Sequence, residues 1–211
     1  MDYAFLPAAE LAPLIETRQL SPVELTEQTL DRINQYDPVI DSYITPLPER
    51  ALKQAKKAEN EIMQGHYKGP LHGIPFGVKD NIETKNIRTT AGSKILTDFI
   101  PDRTSTALEK LFDAGGIMIG KQNTHEFAAG TTNINPFYGA SRNPWNTQHM
   151  TGGSSGGSAA ALAAGLCTLA VGTDTIGSIR IPSAMCGTYG LKPTYGLISS
   201  YGSIPTAWSM G

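Results

Sequence analysis

At 211 residues and 40% hydrophobic content, the chain is long enough to bury one sizeable core. A net charge of −2 with only 17% charged residues argues against a direct nucleic-acid or membrane-surface binder, which would need a clustered basic face. The 22 glycines and 14 prolines are spread along the chain, which assigns them to turns and not to a disordered tract.

Residues 1–66 read as an N-terminal helical arm of the same domain as the rest. The first twenty lack a basic start followed by an apolar run, so no signal peptide is expected. Ser21-Pro22-Val23-Glu24 is a capping box with proline at the first helical position. Val23, Leu30 and Ile33 then share a face, and Pro38 is expected to end the run. A second helix starts near Pro48, turns Leu52, Ala55 and Ile62 inward, and stops at Gly65.

Residues 67–211 form the core. The short apolar run 74–78 predicts a strand, and Ala107, Leu108, Leu111 and Phe112 predict a helix stopped by Gly115-Gly116. A buried strand follows at 117–119, then a helix of small residues at 158–166 and a strand at 169–172. This alternation predicts an α/β fold with a largely parallel or mixed sheet flanked by helices. The weakly apolar stretch 159–171 is too short to span a bilayer. Cys167 and Cys186 lie in apolar surroundings without a CxxC pair and read as reduced, buried thiols. With no leader and no span, the cytoplasm is the expected compartment. Residues 203–211 have neither cap nor polar tail and read as a chain cut inside a loop.

Thr151-Gly152-Gly153-Ser154-Ser155-Gly156-Gly157-Ser158 is the most distinctive segment. A phosphate-cradling loop is physically possible at a helix N-terminus, but the Gly-Lys-Ser/Thr ending of a P-loop is missing. Gly153 to Gly157 also match the GxSxG nucleophile elbow. That fold orders its triad serine, acid, histidine, and all four histidines (His66, His72, His125, His149) precede Ser155. These histidines and Glu126 show no i,i+4 helical pairing, so no metal site and no cofactor are expected.

A second cluster runs from Gly172 through Asp174 to Ser178, Arg180 and Pro182. A serine at such a turn can be surrounded by the backbone N–H groups that an acyl-transfer oxyanion needs. Its hydroxyl still needs a base. With no histidine downstream, Lys79 at the end of the run 74–79 is the natural candidate, because burial weakens a lysine's preference for the charged form. Lys79 taken alone reads equally as a strand-end lysine reaching solvent.

Taken together, Gly73-Ile74-Pro75-Phe76-Gly77-Val78-Lys79-Asp80-Asn81, the Gly-Ser segment from Gly152 to Ala160, Gly172-Thr173-Asp174 through Ser178-Ile179-Arg180, and Gly190-Leu191-Lys192-Pro193 resemble the amidase-signature family in order and spacing. Lys121-Gln122-Asn123-Thr124-His125-Glu126-Phe127-Ala128 and Arg142-Asn143-Pro144-Trp145 are similar to it as well. The resemblance implies a mixed twisted sheet flanked by helices, and a serine amidase acting on a small-molecule amide. It casts Lys79 as base, Ser154 on a cis peptide as bridge, and Ser178 as nucleophile. The oxyanion donors would be the N–H groups of Thr175, Ile176, Gly177 and Ser178, with Ser155, Asp174 and Arg180 in supporting positions.

The chain departs from the family pattern in two ways. Ile176 stands where the family usually has glycine, so a β-branched side chain is expected to crowd the turn. Family members are also substantially longer, so this chain corresponds to an N-terminal portion whose open sheet edges would favour a homo-oligomer. A glutamine-dependent tRNA amidotransferase subunit shares these motifs, although His125 before Glu126 looks more like a free-standing amidase. A non-catalytic remnant or interaction module is the reading from another class.

Overall fold

The computed structural model describes residues 2–207. Helix α1 spans Ala8–Glu16 and α2 Pro22–Ile40. Ser21 caps α2: its Oγ accepts the Val23 and Glu24 N–H groups at 3.0 and 3.2 Å. The helix does not stop at Pro38 but runs two residues further, to Ile40, and is capped by Asp41 in the left-handed conformation at φ 56°. A proline removes one N–H and fixes φ near a helical value, so in a last turn it forfeits only one hydrogen bond. Asp41 N–H then bonds the Asp37 carbonyl at 2.7 Å and carries the pattern past it. Helix α3, Pro48–Met63, buries Ala51, Ala55, Ala58 and Ile62.

Between these helices Tyr43–Pro46 forms strand β1, which the helical reading of the arm did not anticipate. Four residues are too few to show a period of two. Tertiary contacts decide instead: Tyr43 O–H donates to the Leu166 carbonyl at 3.0 Å, and Leu47 N–H to that of Ile119 at 2.8 Å.

Next come β2 (Pro75–Lys79), α4 (Thr106–Asp113), β3 (Ile117–Gln122), a small hairpin of β4 (Ile134–Asn135) and β5 (Gly139–Ala140) that the sequence reading did not anticipate, α5 (Gly156–Ala163), which starts and ends earlier than the helix expected at 158–166, β6 (Leu169–Val171) and α6 (Arg180–Cys186). The main sheet runs β1-β3-β2-β6, with β1 antiparallel to β3, and β2 parallel to both β3 and β6. It is therefore a mixed sheet. Every residue of β2 and β3 is buried, as expected of central strands covered on both faces. Leu30, Ile33, Ala51 and Ala55 cover one part of the sheet around Ile117 and Ile119, while Phe76, Val78 and Met118 pack with Leu108 of α4. Each of the larger side chains contributes about 1.5–3 kcal/mol by leaving water, and each alanine methyl about 0.8 kcal/mol.

Helix α5 comes unusually close to β3. A Cβ placed on Gly157 would lie 2.5 Å from Asn123 N and 2.6 Å from the Ser42 carbonyl oxygen, so no residue but glycine fits there. The other end of α5 is held from the N-terminal arm. Arg32 donates through Nη2 to the Ala164 carbonyl at 2.9 Å and through Nε to that of Gly165 at 3.1 Å. Its guanidinium also lies about 5 Å from both the Phe5 and Tyr36 rings.

Both cysteines are free and buried. Among the described residues, no helix is long and apolar enough to cross a membrane. Residues 201–206 return along the loop after β2, where Glu83 N–H bonds the Gly202 carbonyl and Ile204 N–H that of Asn81, each at 2.8 Å. Residues 208–211, which the sequence placed in the cut loop, lie outside the described residues.

Among the described residues, strand β6 pairs on one side only, and Tyr189, Leu191, Tyr195, Leu197 and Ile198 are all exposed. An open edge beside exposed apolar side chains favours self-association. The 211-residue chain should elute as dimers or larger species and bind a hydrophobic dye. Light scattering that finds a monomer, with no dye binding, would contradict this.

Candidate active site

Strand β2 ends at Lys79, which is 0% exposed. Its Nζ donates to Ser154 Oγ at 2.7 Å and to Thr173 Oγ1 at 2.8 Å. Burial pushes the amine down from its ordinary 10.5 to about 7, against a smaller opposing pull from Asp174. Near neutral pH a large fraction is therefore uncharged.

Ser154 lies on the loop that opens α5, and the Gly153–Ser154 peptide is cis. Two groups from the end of β3 grip its carbonyl: Thr124 O–H at 3.0 Å and His125 N–H at 3.2 Å. Ser155 N–H donates to the Ser178 carbonyl at 3.1 Å, and Ser155 Oγ donates to that of Thr173 at 3.2 Å. These bonds stitch the two serine segments together. Ser178 itself is 6% exposed. Among the described residues, no hydrogen bond joins its hydroxyl to that of Ser154.

Asp174 organises the loop before Ser178. It forms a two-pronged ion pair with Arg180, Nε to Oδ2 and Nη2 to Oδ1, both at 3.0 Å. It also accepts the N–H groups of Gly177 at 2.7 Å, Ile179 at 3.2 Å and Arg180 at 3.3 Å. Burial alone would raise its pKa. The Arg180 guanidinium and the three N–H donors outweigh burial and hold it at about 2.

Of the four N–H groups expected to face an oxyanion, that of Gly177 is thus already engaged by Asp174. Those of Thr175, Ile176 and Ser178 have no hydrogen-bond partner among the described residues. Ile176 does not carry the positive φ of this turn, which falls on Gly177 at 128°. Its side chain is 71% exposed, so the expected crowding is relieved by turning outward.

Two contributors escaped the sequence. Thr173 touches Lys79 directly, and Asn81 donates to Thr173 Oγ1 at 3.3 Å. Both stood inside the matched motifs, but only proximity in space distinguishes them from their neighbours. Lys121 on β3 is a third unforeseen feature. It is 0% exposed, 3.6 Å from Asp80, and lowered to about 8 by burial, with Asp80 opposing. His72 bonds Glu61 and the Lys68 N–H, away from the serines. Among the described residues, no group of three His, Cys, Asp or Glu side chains could hold a metal. A cleft of about 610 Å³ lies between α5, β6, α6 and residues 187–191. Ser155 and Ile179 line it, whereas Lys79, Ser154 and Ser178 do not.

A buried amine of lowered pKa against one serine hydroxyl, with a second serine stitched alongside, is a layout able to move protons during acyl transfer to a hydroxyl. A family model described as Amidase matches residues 24–211, and the chain belongs to that family, the amidase-signature enzymes. It is 50% identical over 202 residues to a glutamyl-tRNA(Gln) amidotransferase subunit of Methylococcus capsulatus, covering 96% of this chain and 41% of the relative. It is 45% identical over 210 residues to that of Carboxydothermus hydrogenoformans. Among solved structures, the peptide amidase of Stenotrophomonas maltophilia matches with a TM-score of 0.91 at 40% identity, over 96% of this chain and 43% of that one. The chain spans about 43% of the length of the curated relatives it matches.

The buried lysine makes stability depend on pH. Between about 7 and the ordinary 10.5, the unfolded chain holds a proton on Lys79 that the folded chain does not. Folding stability therefore rises with pH across that window, and the full cost of burying the amine is felt below it. Lys79→Met should be more stable than the parent near pH 6 and should show a shallower rise, with Lys121 keeping its own share above about 8. Urea midpoints from pH 6 to 10 measure this, and an unchanged slope would put the Lys79 amine in water.

Proposed function

We propose that this chain holds the base, bridge and nucleophile of a serine-dependent hydrolase of carboxylic amides. Neutral Lys79 takes the Ser154 proton as Ser154 takes that of Ser178. Ser178 Oγ attacks the amide carbonyl, and N–H groups of Thr175, Ile176 and Ser178 receive the negative oxygen. The proton returns along the same path to the leaving nitrogen, the C–N bond breaks, and an acyl ester on Ser178 remains. Water activated by the same relay then cleaves the ester. Ser155, Asp174 and Arg180 hold the two loops in register. The observation that carries this reading is the 2.7 Å contact between Ser154 Oγ and a fully buried amine lowered to about 7, where a general base works best.

The family includes both free-standing amidases and amidotransferase subunits. Identities of 45% and 50% to glutamyl-tRNA(Gln) amidotransferase subunits support the second kind for this protein. The amide would then be that of glutamine, and the released ammonia would pass to a partner subunit. The close backbone match to a peptide amidase supports the first kind. Assaying a longer form of the protein against glutamine and a peptide amide separates the two.

The shared chemistry can be tested on this chain with an amide-mimicking phosphonate followed by peptide mass mapping. Label should appear on Ser178 and vanish in Ser178→Ala. In Ser154→Ala it should still reach Ser178, about 100-fold or more slowly. Labelling should fall as pH drops below about 7, because protonated Lys79 cannot accept a proton. Label on residue 154 or 155 would reverse the assigned roles, and none at all would indicate a non-catalytic module.

A further inference from the structure

Asn81 sits two residues beyond Lys79 and is 2% exposed. Its Nδ2 donates to Thr173 Oγ1 at 3.3 Å and to the Ile204 carbonyl at 3.1 Å. Its backbone carbonyl accepts Ile204 N–H at 2.8 Å. The Ile204 carbonyl can only accept, which fixes the amide with nitrogen on this side. Asn81 is therefore pinned by residue 204 and aimed at Thr173.

The atom it reaches is the same Thr173 Oγ1 that accepts from Lys79 Nζ at 2.8 Å. A hydroxyl oxygen has two lone pairs, and here two N–H donors fill both. The Thr173 proton must then point away from Lys79. A neutral amine has two N–H bonds and one lone pair. Charged, Lys79 donates to both hydroxyls; neutral and with one N–H kept on Thr173, it can turn its lone pair to accept from Ser154 O–H. Without the Asn81 donor, Thr173 could rotate and place its own proton on that lone pair, in competition with Ser154.

We propose that Asn81 is a positioning residue: by filling the second acceptor site on Thr173 it turns the Lys79 lone pair toward Ser154, and it ties this orientation to the seating of residues 202–206. This rests on Lys79 serving as the base. The charged groups around Lys79 are Asp174 on the nucleophile loop, His125 after β3, and the Asp80–Lys121 pair at the neighbouring position. Asn81 is neutral and acts through the direction of a hydrogen bond.

The test follows Lys79 by NMR in the 211-residue chain labelled at lysine Cε, with the signal assigned through Lys79→Arg. In the unmutated chain, the Asn81 side-chain amide protons should shift with the same midpoint as Lys79. Asn81→Leu removes the donor without adding charge. It should leave the Lys79 midpoint within about half a unit, yet slow phosphonate labelling of Ser178 above pH 8 by about tenfold. Asn81→Asp should raise the midpoint by about one unit. The inference is overturned if the Asn81 amide ignores the Lys79 titration, or if Asn81→Leu labels as fast as the parent. It is equally overturned if both variants move Lys79 toward an exposed lysine, which would mean the side chain only holds the loop shut. If the unmutated chain takes no label, the proposed hydrolase fails, while the Asn81 titration still decides this inference.

Discussion

An amine removed from water must give up its proton or be met by an anion, and the centre of this protein is built on the first solution. Lys79 is surrounded by hydroxyls, Ser154 and Thr173, and its nearest counter-charge, Asp174, is already occupied by Arg180. Lys121, on the neighbouring strand and equally buried, takes the second solution with Asp80 beside it. Both amines are lowered by burial, and each has a carboxylate opposing it, Asp174 for Lys79 and Asp80 for Lys121. Lys79 faces the serine loop, whereas Lys121 ties β3 to the loop after β2 through Thr89 Oγ1 at 2.9 Å.

Asp174 shows how one group can align a loop while limiting what that loop can do. Collecting three N–H donors and a guanidinium fixes the turn around Ser178. The Gly177 donor spent on that anchorage is withdrawn from the set that could meet a substrate oxygen. Asp174 also serves Arg180, which is 55% exposed at its side chain, so its order comes from the buried carboxylate and not from packing.

Local signals in the chain were legible where they carry their own chemistry. Ser21 before Pro22, Pro48, and the pair Gly115-Gly116 punctuate helices through capping and φ, and the helices begin and end there. Tyr43–Pro46 was invisible because a four-residue strand is specified by its partner and by the distant Leu166 carbonyl, not by its own pattern. Pro38 misled because its position in the last turn, not its identity, decides what it costs. At the site, Lys79, Ser154 and Ser155 could be picked out by motif spacing. Thr173 could not, since its importance lies in touching a side chain 94 residues away. Ile176 looked obstructive because sequence alone does not say which residue of a turn takes the positive φ.

The hold that Arg32 keeps on α5 ties the N-terminal arm to the helix that carries the serine loop. Eight residues make a rod about 12 Å long, stiff over that distance. One end is the serine loop, and the other is gripped by a guanidinium from α2. Gly157, the second residue of α5, packs against the backbone of Asn123 and Ser42 and seats the serine end of the helix. The rod is therefore held at both ends, and a mutation near Phe5 or Tyr36 would loosen the end of α5 that lies far from the serines.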